Sequence, residues 1–155
     1  MTAILFTALP KDHVDAIRLG EPDSNGQVPE RMIASADLPC RACLGLIKSG
    51  ESALLISYRP FRHVQPYAET GPIFIHAEDC GSYDSAQVPP PMLNSSDYLV
   101  RGYDAGDRIV YGTGAVTPTA KIVARAQELL ERPDIAYVHV RSARNNCFQC
   151  RIDRA

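Results

Sequence analysis

Apolar positions along this chain follow two rhythms, alternating like strands in some stretches and recurring every three or four residues in others. Residues 4–8 form a short apolar run of strand length. Behind Pro10, Val14 and Ile17 share one face of a short helix with Ala16 beside them, and the pattern stops near Gly20. Residues 21–29 (EPDSNGQVP) are a loop by composition, and residues 31–36 suit an edge strand leading to Pro39 and Cys40. A turn signal at residues 48–51 precedes SALLISY at 52–58, a strand rich in buried-type residues. Residues 59–70 read as an ordered loop and PIFIH at 72–76 as another strand. Residues 87–94 contain Pro89, Pro90 and Pro91, which cannot donate to a β-ladder, so this stretch reads as a connector. A proline-motif ligand for a transient partner is its weaker reading.

The second half is more regular. Residues 98–103 and 108–111 read as two strands around the Asp104-Ala105-Gly106-Asp107 turn. Thr117-Pro118 resembles an N-cap followed by proline at the first helical position. Ile122, Val123, Ala126, Leu129 and Leu130 then define an amphipathic helix ending before Pro133. Residues 135–141 (IAYVHVR) and 147–152 (CFQCRI) both alternate, and a polar turn with Asn145 and Asn146 joins them into a C-terminal hairpin. The pattern as a whole is α+β: a single compact domain over residues 1–155, mostly antiparallel sheet, with one main amphipathic helix.

Composition narrows the function classes. A chain of 155 residues is the size of one domain and can fold without a staple. The net charge of −2 argues against a broadly electropositive nucleic-acid binder. No apolar stretch approaches the roughly 20 residues of a membrane span, and the N-terminus lacks the basic flank of a signal peptide. A soluble cytoplasmic protein is the expectation. Five cysteines in a reducing compartment, an odd number, point to thiols, metal ligands or reactive groups in place of a disulfide framework.

The most specific chemistry is Cys40-x-x-Cys43 followed by His76-x-x-x-Cys80. A C-x-x-C pair grips one ion from a tight turn, a second pair completes a tetrahedron, and Cys3His is a standard structural zinc set. The segment after Cys43 (LGLI, then KSGE) resembles the knuckle and hairpin of treble-clef zinc modules, although the 32-residue spacer to His76 is longer than that of a finger. Two other readings stay open: ordinary buried thiols, and a redox pair, for which the helix that would lower the first thiol's pKa is missing.

The hairpin offers a second site. Alternation puts Tyr137, His139 and Arg141 on one face of its first strand, and Cys147, Gln149 and Arg151 on one face of its second. If the apolar faces pack together, these six share a surface and Cys150 enters the core. Cys147 as nucleophile, His139 as base, and Arg141 or Arg151 holding an anionic substrate would make a small enzyme. The alternative is a solvated outer face. Thirteen arginines against three lysines, with Arg41, Arg59 and Arg62 close in sequence, would also suit a small anionic ligand. Gly112-Thr113-Gly114 lacks the rest of a phosphate-loop signature.

Several segments resemble a bacterial family of small proteins, domain of unknown function 1203: Pro39-Cys40-Arg41, the run from Leu54 through Pro60-Phe61, Gly71 to Glu78, and Arg144-Asn145-Asn146-Cys147-Phe148. The resemblance implies one compact domain. It brings no activity with it, and it draws attention to the region of Cys147.

Overall fold

Two antiparallel sheets are joined by a short knuckle, and that junction positions everything discussed below. The computed structural model describes residues 1–83 and 88–155. The larger sheet has five strands in the order β1 (Ile4–Thr7), β10 (Phe148–Arg154), β9 (Tyr137–Ser142), β7 (Asp97–Tyr103) and β8 (Ala115–Pro118). The smaller has β2 (Glu30–Ile33), β5 (Ser52–Tyr58) and β6 (Gly71–His76), with β2 at an edge as expected. Between β2 and β5 lies a two-stranded ribbon, β3 (Leu38–Pro39) and β4 (Leu46–Ile47). The α+β expectation with a C-terminal hairpin holds, and every named strand pair is antiparallel.

Two apolar cores follow from the two sheets. Helix α2 (Ile122–Leu130) lays Ile122, Ala126, Leu129 and Leu130 on the larger sheet, against Phe6, Val100, Val138, Val140, Cys150 and Ile152. Helix α1 (Lys11–Arg18) brings Val14 and Ile17 to the second core, with Ile47, Ile56, Ile73 and Ile75. Each such side chain, fully buried, is worth about 1.5–3 kcal/mol of transfer free energy. Asp12 in the first turn of α1 and Arg18 in its last complement the helix dipole. Arg18 is thereby aimed at the end of β6, where its Nε donates to the His76 carbonyl at 3.1 Å.

Three local expectations are corrected. Residues 108–111 make no strand: only an isolated bridge joins Tyr103 to Ile109. The reason is Thr113, whose Oγ1 takes the Gly102 N–H at 3.0 Å and donates to Val110 O at 2.6 Å, occupying ladder positions with a side chain. This also gives Gly112-Thr113-Gly114 a structural role. Thr117-Pro118 does not cap the main helix. Both residues end β8, a 3-10 turn (Thr119–Lys121) follows, and Thr117 Oγ1 bonds Ala115 O. The third correction concerns register. The pairing of β10 with β9 slips between Phe148, opposite Arg141, and Cys150, opposite Val140. This β-bulge at Gln149 turns Phe148 to the face of His139 and Arg151, leaving Cys150 and Ile152 in the core. Within the proline connector, Leu93 N–H bonds Pro90 O and Met92 is buried; Gln87, where that segment was expected to start, lies outside the described residues.

Candidate functional site

The knuckle forms because residues 40–45 fold back on themselves. Cys40 N–H donates to Gly45 O at 3.0 Å and Leu44 N–H to Cys40 O at 2.9 Å, with Leu44 in the left-handed region at φ 56°. Leu44 tolerates that conformation because it is fully buried in the first core and its carbonyl receives Met92 N–H. Arg41 points the other way. Its guanidinium, 3% exposed, donates to Phe148 O at 2.9 Å and Pro39 O at 3.0 Å, and burial lowers its pKa to about 10. The knuckle thus ties both cores and β10 together.

This fold-back puts Cys40 and Cys43 beside the end of β6, where His76 and, four residues on, Cys80 arrive. The ligand atoms of Cys40, Cys43, His76 and Cys80 all lie within 4.8 Å of one another, a group that could hold a metal ion. Cys40 Sγ is 3.9 Å from Cys80 Sγ, and Cys43 Sγ is 3.6 Å from His76 Nδ1. Sulfur atoms 3.9 Å apart are far from the roughly 2.05 Å of a disulfide, and all five cysteines are free thiols. Cys40 ionises most readily: the Cys43 and Cys80 thiols and the backbone N–H groups of His76 and Cys43 all donate to its sulfur, holding its pKa far down. Donation towards Cys40 correspondingly raises Cys43 and Cys80.

Charged groups surround the four. Arg18 Nη2 donates to Cys80 Sγ at 3.2 Å, a cation against thiolate charge. Glu51 Oε1, which accepts from Lys48 N–H at 2.6 Å, lies 3.7 Å from His76 Nε2, on the ring side away from Cys43. Arg18 and Glu51 were missed in the sequence because neither belongs to the spaced motif. Arg18 comes from the end of an unrelated helix, and Glu51 was visible only as part of a turn.

The four clustered residues and the hairpin fall inside one family match. A family model covers residues 37–154 of the 155. The chain belongs to the DUF1203 family, whose description is "protein of unknown function". Neither the curated proteins nor the solved structures provide a match. The matched span leaves out β1 and α1, so Arg18 of this DUF1203 chain lies beyond it. No helix among the described residues is long and apolar enough to cross a membrane.

The hairpin site is rearranged. Tyr137, His139 and Arg141 do share a face, together with Arg101, Tyr103 and Arg151 from the neighbouring strands. That face is not solvated. His139 is fully buried and Arg141 is 2% exposed, under a lid formed by the loop from Arg59 to Thr70. His139 is surrounded by the rings of Phe61, Tyr103, Tyr137 and Phe148 at 4.5–5.3 Å. Arg141 Nη1 meets Glu69 Oε1 at 2.6 Å, and Arg141 Nη2 lies 3.1 Å from His139 Nδ1.

Cys147 does not join His139. Its thiol meets Asn145 O at 3.9 Å beside a separate cavity of about 220 Å³, whereas His139 Nε2 has no partner among the described residues. Gln149 Nε2 donates to Cys147 O, and Arg151 is paired with Asp153 at 2.6 Å and lies 3.9 Å over the Tyr137 ring. The expected shared surface of Cys147, Gln149 and His139 is undone by the bulge, which no alternation rule anticipates.

Burial, with the Arg141 charge second, holds the His139 pKa well below its ordinary value. The unfolded chain therefore binds a proton near pH 6.5 that the native state refuses, and stability falls as pH drops. Stability is therefore expected to fall as pH drops from 7 to 5, with a slope of at most about 1.36 kcal/mol per pH unit below about 6.5. Nitrogen-15 spectra of the imidazole across that range check it. A native His139 that becomes protonated near pH 6 would contradict it.

Proposed function

We propose that this protein is a non-catalytic binding or structural module in which Cys40, Cys43, His76 and Cys80 hold a zinc ion. The observation that carries the reading is the size of the cluster. Zinc–sulfur bonds of about 2.3 Å and zinc–nitrogen bonds of about 2.0–2.1 Å place tetrahedral S···S and S···N edges near ~3.8 Å and ~3.6 Å. The pairs Cys40–Cys80 and Cys43–His76 stand at 3.9 Å and 3.6 Å. Four protein donors fill a tetrahedron and leave no open position for water or substrate, which marks a structural ion. Three thiolates, a neutral imidazole and Zn²⁺ sum to −1, and Arg18 offsets that charge. The Glu51 carboxylate behind His76 matches the carboxylate–histidine–metal arrangement that steadies such sites.

The work assigned to the ion is mechanical: it fastens the knuckle, and through Leu44 and Arg41 both cores, to the end of β6. Metal analysis of protein purified without a histidine tag is expected to find about one equivalent of zinc, reduced several-fold in Cys43→Ser and in Cys80→Ser. Well under one equivalent, with all five thiols of the wild type titratable, would sink the proposal.

A further inference from the structure

A cavity with aromatic walls adjoins the one that Cys147 lines, sharing Tyr58, Pro60 and Phe148 with it. It is a cavity of about 370 Å³, within the range of small-molecule sites, and none of its lining residues is a ligand of the metal cluster. Tyr58, Phe61 and Phe148 supply flat apolar wall, and His139 closes its inner end.

The charge lining it is unbalanced. Arg59, Arg62 and Arg151 face two carboxylates, Asp107 and Asp153. Asp153 is held by Arg151 at 2.6 Å and by the Thr7 hydroxyl at 2.9 Å. Asp107 receives the Tyr137 hydroxyl at 3.0 Å and lies 3.6 Å from Arg62 Nε. Arg59 donates only its Nε, to Phe61 O at 3.3 Å, and no carboxylate among the described residues stands within 4.0 Å of it. The surplus charge is therefore +1, and it belongs to Arg59.

The inner end holds the second observation. Arginine has donors only, so the nitrogen of His139 that meets Arg141 Nη2 must accept. A neutral His139 then carries its hydrogen on Nε2, and that N–H is fully buried with no partner among the described residues. Arg141 lines the neighbouring cavity and does not line this one, so the ring presents Nδ1 to that side and Nε2 away from it. Leaving a buried donor unpaired is costly, and a ligand oxygen would recover that cost.

We infer that this cavity binds a small aromatic monocarboxylate, its ring against Tyr58, Phe61 and Phe148 and its carboxylate taken by the Arg59 guanidinium and the His139 Nε2–H. A carboxylate supplies acceptors only and one negative charge, which matches one unpaired donor and one unpaired cation. A phosphate would bring a second charge with nothing left to meet it.

The test uses benzoate and 2-naphthoate as probes, with benzamide and 2-naphthamide as neutral counterparts. Long-range nitrogen-15 spectra of the free protein are expected to show His139 as the Nε2–H tautomer. At least one carboxylate is expected to bind saturably with shifts at His139, and its amide about tenfold more weakly or worse. Arg59→Met is expected to weaken the carboxylate by about tenfold and leave the amide within about twofold. The wild-type comparison needs no variant, so a misfolded Arg59→Met would not obscure the answer. An Nδ1–H tautomer overturns the proposal, as does the absence of saturable binding by either carboxylate at millimolar concentration, or equal affinity for acid and amide. The zinc content is expected to be unchanged in either case, which keeps this outcome separate from that of the metal site.

Discussion

On the proposed zinc site, removing the ion with a strong chelator is expected to lower the Tm by about 8–16 °C. An ion present at a thousandfold excess over its Kd contributes about 4 kcal/mol to the folded state, and each kcal/mol moves the Tm of a domain this size by about 2–4 °C. The effect should be large because the four residues sit where the two cores meet. Leu44 is buried in one, Cys40 in the other, and the buried Arg41 guanidinium binds β10 through Phe148 O. Affinity must also weaken with acid, since the three thiols bind metal only as thiolates. Differential scanning calorimetry with and without chelator, repeated on Cys43→Ser, measures it. A shift below about 2 °C in the wild type would remove the ion's structural role.

Glu69→Ala is expected to destabilise the protein by about 3 kcal/mol, measured by urea unfolding. Glu69 is the one acid shared by Arg141, at 2.6 Å, and Arg101, at 3.3 Å. The Arg141 side chain is 2% exposed, so losing its partner strands a charge that water cannot reach. Breaking a buried pair costs about 3–5 kcal/mol, and the low end applies because Glu69 itself is 45% exposed. The double variant Glu69→Ala with Arg141→Met should lose less than the two single changes added together, because no unpaired cation remains. Strict additivity, or a cost below about 1 kcal/mol for Glu69→Ala alone, would show the pair to be screened. The interaction also matters for the cavity, since Glu69 fastens to β9 the loop that carries Arg59 and Phe61.

Chain order and alternation made much of this fold legible. The strand at Ser52–Tyr58 coincides with the apolar run, and the main helix carries the face that its three- and four-residue spacing describes. The four residues of the Cys3His cluster were also readable, because C-x-x-C and H-x-x-x-C spacing constrains where sulfur and nitrogen can point. The long spacer between Cys43 and His76, which weakened the match to a finger, is taken up by β4, β5, the loop at residues 59–70 and most of β6. Segments paired by side chains were not readable. The ladder beside Gly102 is completed by the Thr113 hydroxyl, and no periodicity reports such a bond.

The sequence by itself determined the class of fold, the alternation of β9, the burial of Cys150 and the identity of the four clustered Cys and His residues. These are local properties: side-chain period, backbone preference and the reach of a tight turn settle them within a few residues. Only the tertiary structure decided that the polar face of the hairpin is covered, that Gln149 forms a bulge, and that His139 is separated from Cys147 and turned towards a different cavity. Those outcomes depend on a loop from the other sheet, where Phe61 and Glu69 reach β9 from about 70 residues away in the chain. Burial of a strand's second face is set by whatever packs on it, and that information lies outside the strand.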